Sequence, residues 1–179
     1  VKYVIFADDF EDGDASNWET GKVRYGSGDT WEVRDRDSNA GSYSMDSDFR
    51  RSNSVPADNY VSTPSLDLTL PVEAELQMAI SFYGYYTYDG YQVQASGDGG
   101  DTWAAIQPKA SDPRQYGTIY NTAYYSNPLR GLKGYTSYGT TTGFTYSPDP
   151  QGWVKATFDL TEFCGKNDVK VRVVTGWST

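Results

Sequence analysis

Residues 74–86 read Ala-Glu-Leu-Gln-Met-Ala-Ile-Ser-Phe-Tyr-Gly-Tyr-Tyr, and this stretch decides the fold class. Leu76, Met78, Ile80 and Phe82 take one set of alternate positions, while Glu75, Gln77, Ala79, Ser81 and Tyr83 take the other. Successive side chains of a strand point to opposite faces, so a two-residue period of this length predicts a central strand with one buried face. The period recurs downstream. Tyr91, Val93 and Ala95 alternate with Gln92, Gln94 and Ser96; Val154, Ala156 and Phe158 alternate with Trp153, Lys155 and Thr157; Val169, Val171 and Val173 alternate with Lys170 and Arg172. A Gly-rich turn after Ser96 leads to a short strand over 103–106, which predicts a hairpin. Residues 2–6, 30–34, 43–49 and 59–63, each bounded by Gly, Asp, Asn or Pro, add shorter strands.

No stretch sustains a 3.6-residue period. The one helical candidate is a single turn at 161–165, with Thr161 as its cap and Gly165 as its stop. Many short strands separated by turn residues predict an all-β fold, a jelly-roll-like antiparallel β-sandwich. A chain of 179 residues fits one domain spanning 1–179 and buries roughly 70% of its unfolded surface, so it needs no disulfide. Residues 108–150 depart from the regular pattern: rich in Tyr, Gly, Thr, Ser and Pro, they read as a long insertion with modest strand signals at 117–125 and 138–146, and such insertions are usually functional or flexible.

Composition excludes several chemistries. The chain has no histidine and one cysteine, so Ser/His and Cys/His dyads, His-based zinc sites and an internal disulfide are ruled out. A net charge of −9 with 15 Lys and Arg lacks the basic footprint of a nucleic-acid binder. No apolar run approaches the roughly 20 residues of a membrane helix, so no membrane insertion is expected. Aromatic content of 16%, including 16 tyrosines, argues against disorder.

Ser96-Gly97-Asp98-Gly99-Gly100-Asp101-Thr102-Trp103 fits the pattern Ser-x-Asp-x-Gly-x-Thr-Trp, the Asp box. In such a turn the Asp carboxylate accepts backbone N–H groups, the glycines take positive φ and the Trp folds back over the loop. Around it lie Asp9-Phe10-Glu11-Asp12-Gly13 with Trp18, Trp31-Glu32-Val33, Gly41-Ser42-Tyr43-Ser44, Val61 to Leu68, Gly152-Trp153 to Leu160, and Gly165 to Arg172. In this order the motifs resemble the MAM-like domains of immune inhibitor A-type peptidases and the cleaved-adhesin domains, jelly-roll modules of secreted bacterial and archaeal proteins.

The resemblance implies a non-catalytic extracellular or cell-surface module with a structural calcium ion. Its expected ligands are Glu11 with Asp9, Asp12 and Asp14, and the neighbouring Asp8; calcium takes six to eight oxygens and these carboxylates supply several. Their other reading is a solvated acidic loop. Similar modules carry a further strand after the segment matching 169–179, so this sequence reads as a fragment or as a subunit completed by a strand from another copy, with 1–6 as a candidate donor. Tyrosines cluster at 83–91 and again at Tyr116, Tyr120, Tyr124, Tyr125, Tyr135 and Tyr138; the second group are the candidate ligand-binding residues, because tyrosine offers large contact area at low entropic cost, and the other reading for about half of all these tyrosines is ordinary core or turn packing. Cys164 reads as a structural thiol. Two functions follow: an adhesion or assembly module, as a filament subunit, whose partners are other copies, surface proteins or glycans; or a carbohydrate-binding accessory domain of a secreted enzyme. A glycosidase-type carboxylate pair is disfavoured, because the acidic residues sit in turns beside Gly, Asn and Ser.

Overall fold

The computed structural model describes residues 2–23, 31–47, 57–81, 83–84, 90–109, 116–118, 133–136, 147–148 and 153–177. In chain order its strands are β1 (Glu19–Lys22), β2 (Trp31–Arg34), β3 (Ser44–Ser47), β4 (Ala57–Ser62), β5 (Glu75–Ile80), β6 (Tyr83–Gly84) and β7 (Gly90–Ser96). They continue with β8 (Ala104–Ala105), β9 (Tyr116–Thr118), β10 (Lys133–Thr136), β11 (Ser147–Pro148), β12 (Val154–Asp159) and β13 (Lys170–Trp177). One 3-10 turn, Thr161–Phe163, joins β12 to β13.

The larger sheet has seven strands in the order β1-β4-β13-β7-β10-β9, with β8 attached to β7. All its pairings are antiparallel. Val173 of β13 stands between Val61 of β4 and Val93 of β7, so a row of valines runs across the centre of the sheet. Beside this sheet are the β5–β12 ladder, the β2–β3 hairpin and the short β6–β11 pair.

One core joins the layers. Tyr91, Val93 and Ala95 of β7, with Val171 and Val173 of β13, pack against Leu76, Met78 and Ile80 of β5 and Ala156 and Phe158 of β12. Leu68, Ile106, Leu160 and Phe163 complete the same cluster. The fold is therefore an all-β sandwich of antiparallel sheets. The β2–β3 hairpin reaches the same sheet farther along β13, where Ser47 Oγ lies 3.3 Å from Thr175 Oγ1.

Several local readings shift. The alternation at 74–86 turns Leu76, Met78 and Ile80, each half-buried, toward the core as expected, with Phe82 outside the described residues, yet among the described residues β5 pairs only with β12. The central positions belong instead to β7 and β13, which are covered on both faces. Residues 2–6 form no strand; Tyr3, Val4 and Ile5 are 59%, 77% and 42% exposed. Strand β1 gave no periodic signal, because its residues Glu-Thr-Gly-Lys lie on a sheet edge where apolar alternation is not required. At the 3-10 turn the predicted cap Thr161 is itself capped: its N–H donates to Asp159 Oδ1 at 2.9 Å. The stop is as read, with Gly165 at φ +86°.

Phe158 has no exposed surface and joins both layers. Phe158→Ala is expected to lower unfolding free energy by about 3–5 kcal/mol, the range for emptying a buried aromatic site, read as a lower denaturant midpoint.

Candidate functional site

The acidic loop is built around Trp18. Its indole N–H donates to Asp8 Oδ2 at 2.7 Å, and Phe6 and Phe10 pack against its ring at centroid distances of 5.3 and 5.5 Å. Phe10 takes φ +62°, and its N–H is accepted by Asp8 Oδ1. Asp9 Oδ1 and Asp12 Oδ1 accept the N–H groups two residues on, at Glu11 and Asp14, while Asp14 takes both the N–H and the hydroxyl of Ser16. The Ser16 hydroxyl and N–H hold the Asp14 carboxyl below its ordinary range. These are Asx turns, each carboxylate replacing a backbone acceptor.

Glu11 has a different role. Its Oε1 accepts the N–H groups of Ser42 and Tyr43 at 2.9 and 2.8 Å, and Oε2 also accepts that of Ser42, tying the loop to the start of β3. The approach requires a glycine at 41, where φ is +82° and a Cβ would lie 2.3 Å from the Glu11 carboxyl carbon. Among the described residues no group of three or more Asp, Glu or Cys side chains is placed to hold a metal ion.

Of the tyrosine group, Tyr116 and Tyr135 stand opposite each other in β9 and β10, and Tyr135 stands opposite Tyr91 of β7. The register therefore places 91, 135 and 116 in one row across the sheet. Tyr120, Tyr124, Tyr125 and Tyr138 lie outside the described residues.

The Asp box forms the turn between β7 and β8. Asp98 accepts the N–H of Thr102 at 2.9 Å and the hydroxyls of Ser96 and Thr102, while Ser96 Oγ accepts the N–H of Gly100 at 2.8 Å. The hydroxyls of Ser96 and Thr102, followed by the Thr102 N–H, hold the Asp98 carboxyl far below the ordinary carboxylate range. The Gly99 N–H donates to the Asp168 carbonyl at 2.9 Å, joining the turn to the segment that enters β13.

Trp103, which closes this turn, carries the Arg172 guanidinium 4.0 Å from its ring centroid. Arg172 also lies 5.3 Å from the Tyr60 ring, and its Nε donates to Gln94 Oε1 at 2.7 Å. Gln94 in turn donates to Gln92. Arg172 is opposite Gln94 of β7, and Val174 is opposite Tyr60 of β4, so these groups share the sheet face away from the main core. Burial pushes the Arg172 guanidinium down to about 10, which leaves it charged at neutral pH. Next to Trp103 a groove of about 290 Å³ is lined by Ser96, Asp98, Thr102, Glu162, Phe163 and Lys166, among others.

Sequence reading placed Trp103 and Arg172 in separate motifs and did not bring them together. The signal available was parity: Arg172 occupies the polar positions of its strand, as Gln94 does of β7. Which pair of strands would be neighbours was not written in either alternation.

Because the native Asp98 carboxyl titrates below its unfolded value, its stabilising contribution is present above the ordinary carboxylate range and is lost as pH falls through the lowered native value. Asp98→Asn is expected to flatten the acid limb of the stability curve while leaving it parallel to wild type near neutrality, as followed by thermal melts across pH. Gly41→Ala is expected to break the Glu11 contacts at Ser42 and Tyr43 and to lower the melting temperature, with accelerated amide exchange at those two residues. Comparison with protein-family models, with curated proteins and with solved structures gives no match to this chain.

Proposed function

We propose that the protein is a non-catalytic extracellular interaction module used in cell-surface adhesion or assembly, a filament subunit that gains stability by receiving the 2–6 segment of a neighbouring copy. One observation carries this reading. Tyr3, Val4 and Ile5 are apolar, consecutive and largely exposed, and they join no sheet of their own chain among the described residues. Three such residues in extended reach are poorly placed in water and well suited to a strand slot.

The anchor of this segment is firm. Phe6 is held against Trp18, and Trp18 against Asp8, so the residues before Phe6 project from a fixed base. Adding the segment as a strand to a sheet edge of a neighbouring copy supplies main-chain hydrogen bonds for affinity and side-chain pockets for specificity. The sandwich, the Asp box and the tyrosine-bearing β9–β10 extension fit a module that presents surface rather than one that turns over substrate.

Electron microscopy and light scattering of the purified chain test the reading. Concentration-dependent oligomers or filaments are expected, and Val4→Asp with Ile5→Asp is expected to abolish them while the monomer keeps its melting temperature, because those side chains lie outside the core. Monodisperse monomers at every concentration, or variants that assemble as wild type does, would refute strand exchange.

A further inference from the structure

We propose that the Asp37–Ser38 peptide unit is a site of spontaneous isoaspartate formation, a covalent rearrangement built into the loop that joins β2 to β3. The site uses none of the residues on which the assembly reading rests, and a monomer would carry it.

The first argument is the aim of the carboxylate. Asp8, Asp9, Asp12, Asp14, Asp67 and Asp159 each accept the N–H two residues on, so their carboxyl groups reach past the next peptide nitrogen. Asp37 differs. Its Oδ1 lies 2.9 Å from the nitrogen of Ser38, the very next residue. Isoaspartate arises through a succinimide, whose closure joins an aspartate carboxyl carbon to that following nitrogen. The contact therefore holds the two reacting groups side by side, and such proximity lowers the barrier to a ring closure.

The second argument is that this contact is held from both sides. The Ser44 hydroxyl donates to the Asp37 carbonyl at 2.6 Å, and the Ser38 hydroxyl donates to the Gly41 carbonyl at 2.9 Å. Asp37 is exposed, so water reaches the group that must react with it.

The third argument concerns the rival sites. By sequence the favoured aspartates are those followed by glycine, whose nitrogen no side chain shields, as at Asp12-Gly13 and Asp98-Gly99. In the fold the Gly13 N–H donates to the Phe10 carbonyl at 3.0 Å, and the Gly99 N–H to the Asp168 carbonyl at 2.9 Å. Each nitrogen must give up a main-chain hydrogen bond before it can turn to its own carboxyl. Ser96 and Thr102 also keep the Asp98 carboxyl ionised, which depletes the neutral acid that cyclises.

The reaction needs only water. In the neutral acid a bond forms from Ser38 N to Asp37 Cγ, the nitrogen gives up its proton, and the carboxyl hydroxyl leaves with a proton as water. Solvent water then opens the ring. Cleavage at Cγ restores aspartate, whereas cleavage at the Asp37 main-chain carbonyl carbon leaves isoaspartate of unchanged mass. The product has one more carbon in the main chain between β2 and β3, next to the Ser42 and Tyr43 N–H groups that Glu11 holds.

The experiment ages the folded chain at about pH 5, where a carboxyl is partly neutral, and maps isoaspartate by peptide retention at unchanged mass and by methylation with an isoaspartate methyltransferase. Isoaspartate is expected to accumulate about threefold or more faster at Asp37 than at Asp12 or Asp98. In guanidinium the order is expected to reverse, with Asp12-Gly13 ahead, because only the fold supplies the contact at Asp37. A rate at Asp37 equal to or below that at Asp12 in the folded chain overturns the proposal. So does a lead at Asp37 that persists unchanged in denaturant, since the contact would then contribute nothing.

Discussion

The pairing of β7 with β13 is the constraint on which the rest of the molecule depends. Seven consecutive residue pairs, from Lys170 with Ser96 to Gly176 with Gly90, hold these strands in one register. That register sends Val93, Ala95, Val171 and Val173 into the main core and lines up Gln92, Gln94, Arg172 and Val174 on the opposite face. A slip of one residue would exchange the two sets, placing Arg172 and Gln94 against Phe158 and exposing four apolar side chains. Burying an unpaired guanidinium costs far more than any local turn could return. The hydrophobic pattern therefore selects the register, and the register places the arginine.

The two ends of the sandwich are closed by different chemistry. At the β7–β8 end the Asp box uses a carboxylate and two hydroxyls to satisfy a tight glycine turn, and its Gly99 N–H reaches the segment entering β13. The acidic loop works by the same principle on a longer path. Glu11 spans 31 residues of sequence to reach Ser42, and Gly41 leaves the room it needs. In both places carboxylates serve as acceptors for backbone N–H groups. The acidic composition is in part a means of building ordered turns without helices or disulfides.

Legibility from sequence varied with the kind of interaction. Strands β5, β7, β12 and β13 were plain, because each buries one alternate set of side chains and alternation is a local property. The Asp box was equally plain, since all its hydrogen bonds close within a few residues. Strand β1 was silent: an edge strand of Glu, Thr, Gly and Lys is held by its neighbour's backbone and by the Lys170–Glu19 pair, neither of which leaves a periodic trace. Residues 2–6 carried an apolar strand signal, and yet all but Phe6 stand exposed, because propensity specifies a conformation only once a partner edge is available. Of the tyrosines proposed for binding, Tyr116 and Tyr135 fall in one row of the sheet, and the remaining four lie outside the described residues.

By itself the sequence determined that this protein is all-β, that its faces alternate, that it turns at an Asp box, and that it has no histidine for acid–base chemistry. Those properties follow from neighbours along the chain. Only the tertiary structure decided which strand is central, that Glu11 is bound to the 41–43 segment, and that Arg172 comes to rest between Trp103 and Tyr60. The physical reason is that each of these depends on which strands lie side by side. That choice is made by burial over the whole sheet, where one register satisfies the apolar residues and the polar ones at once.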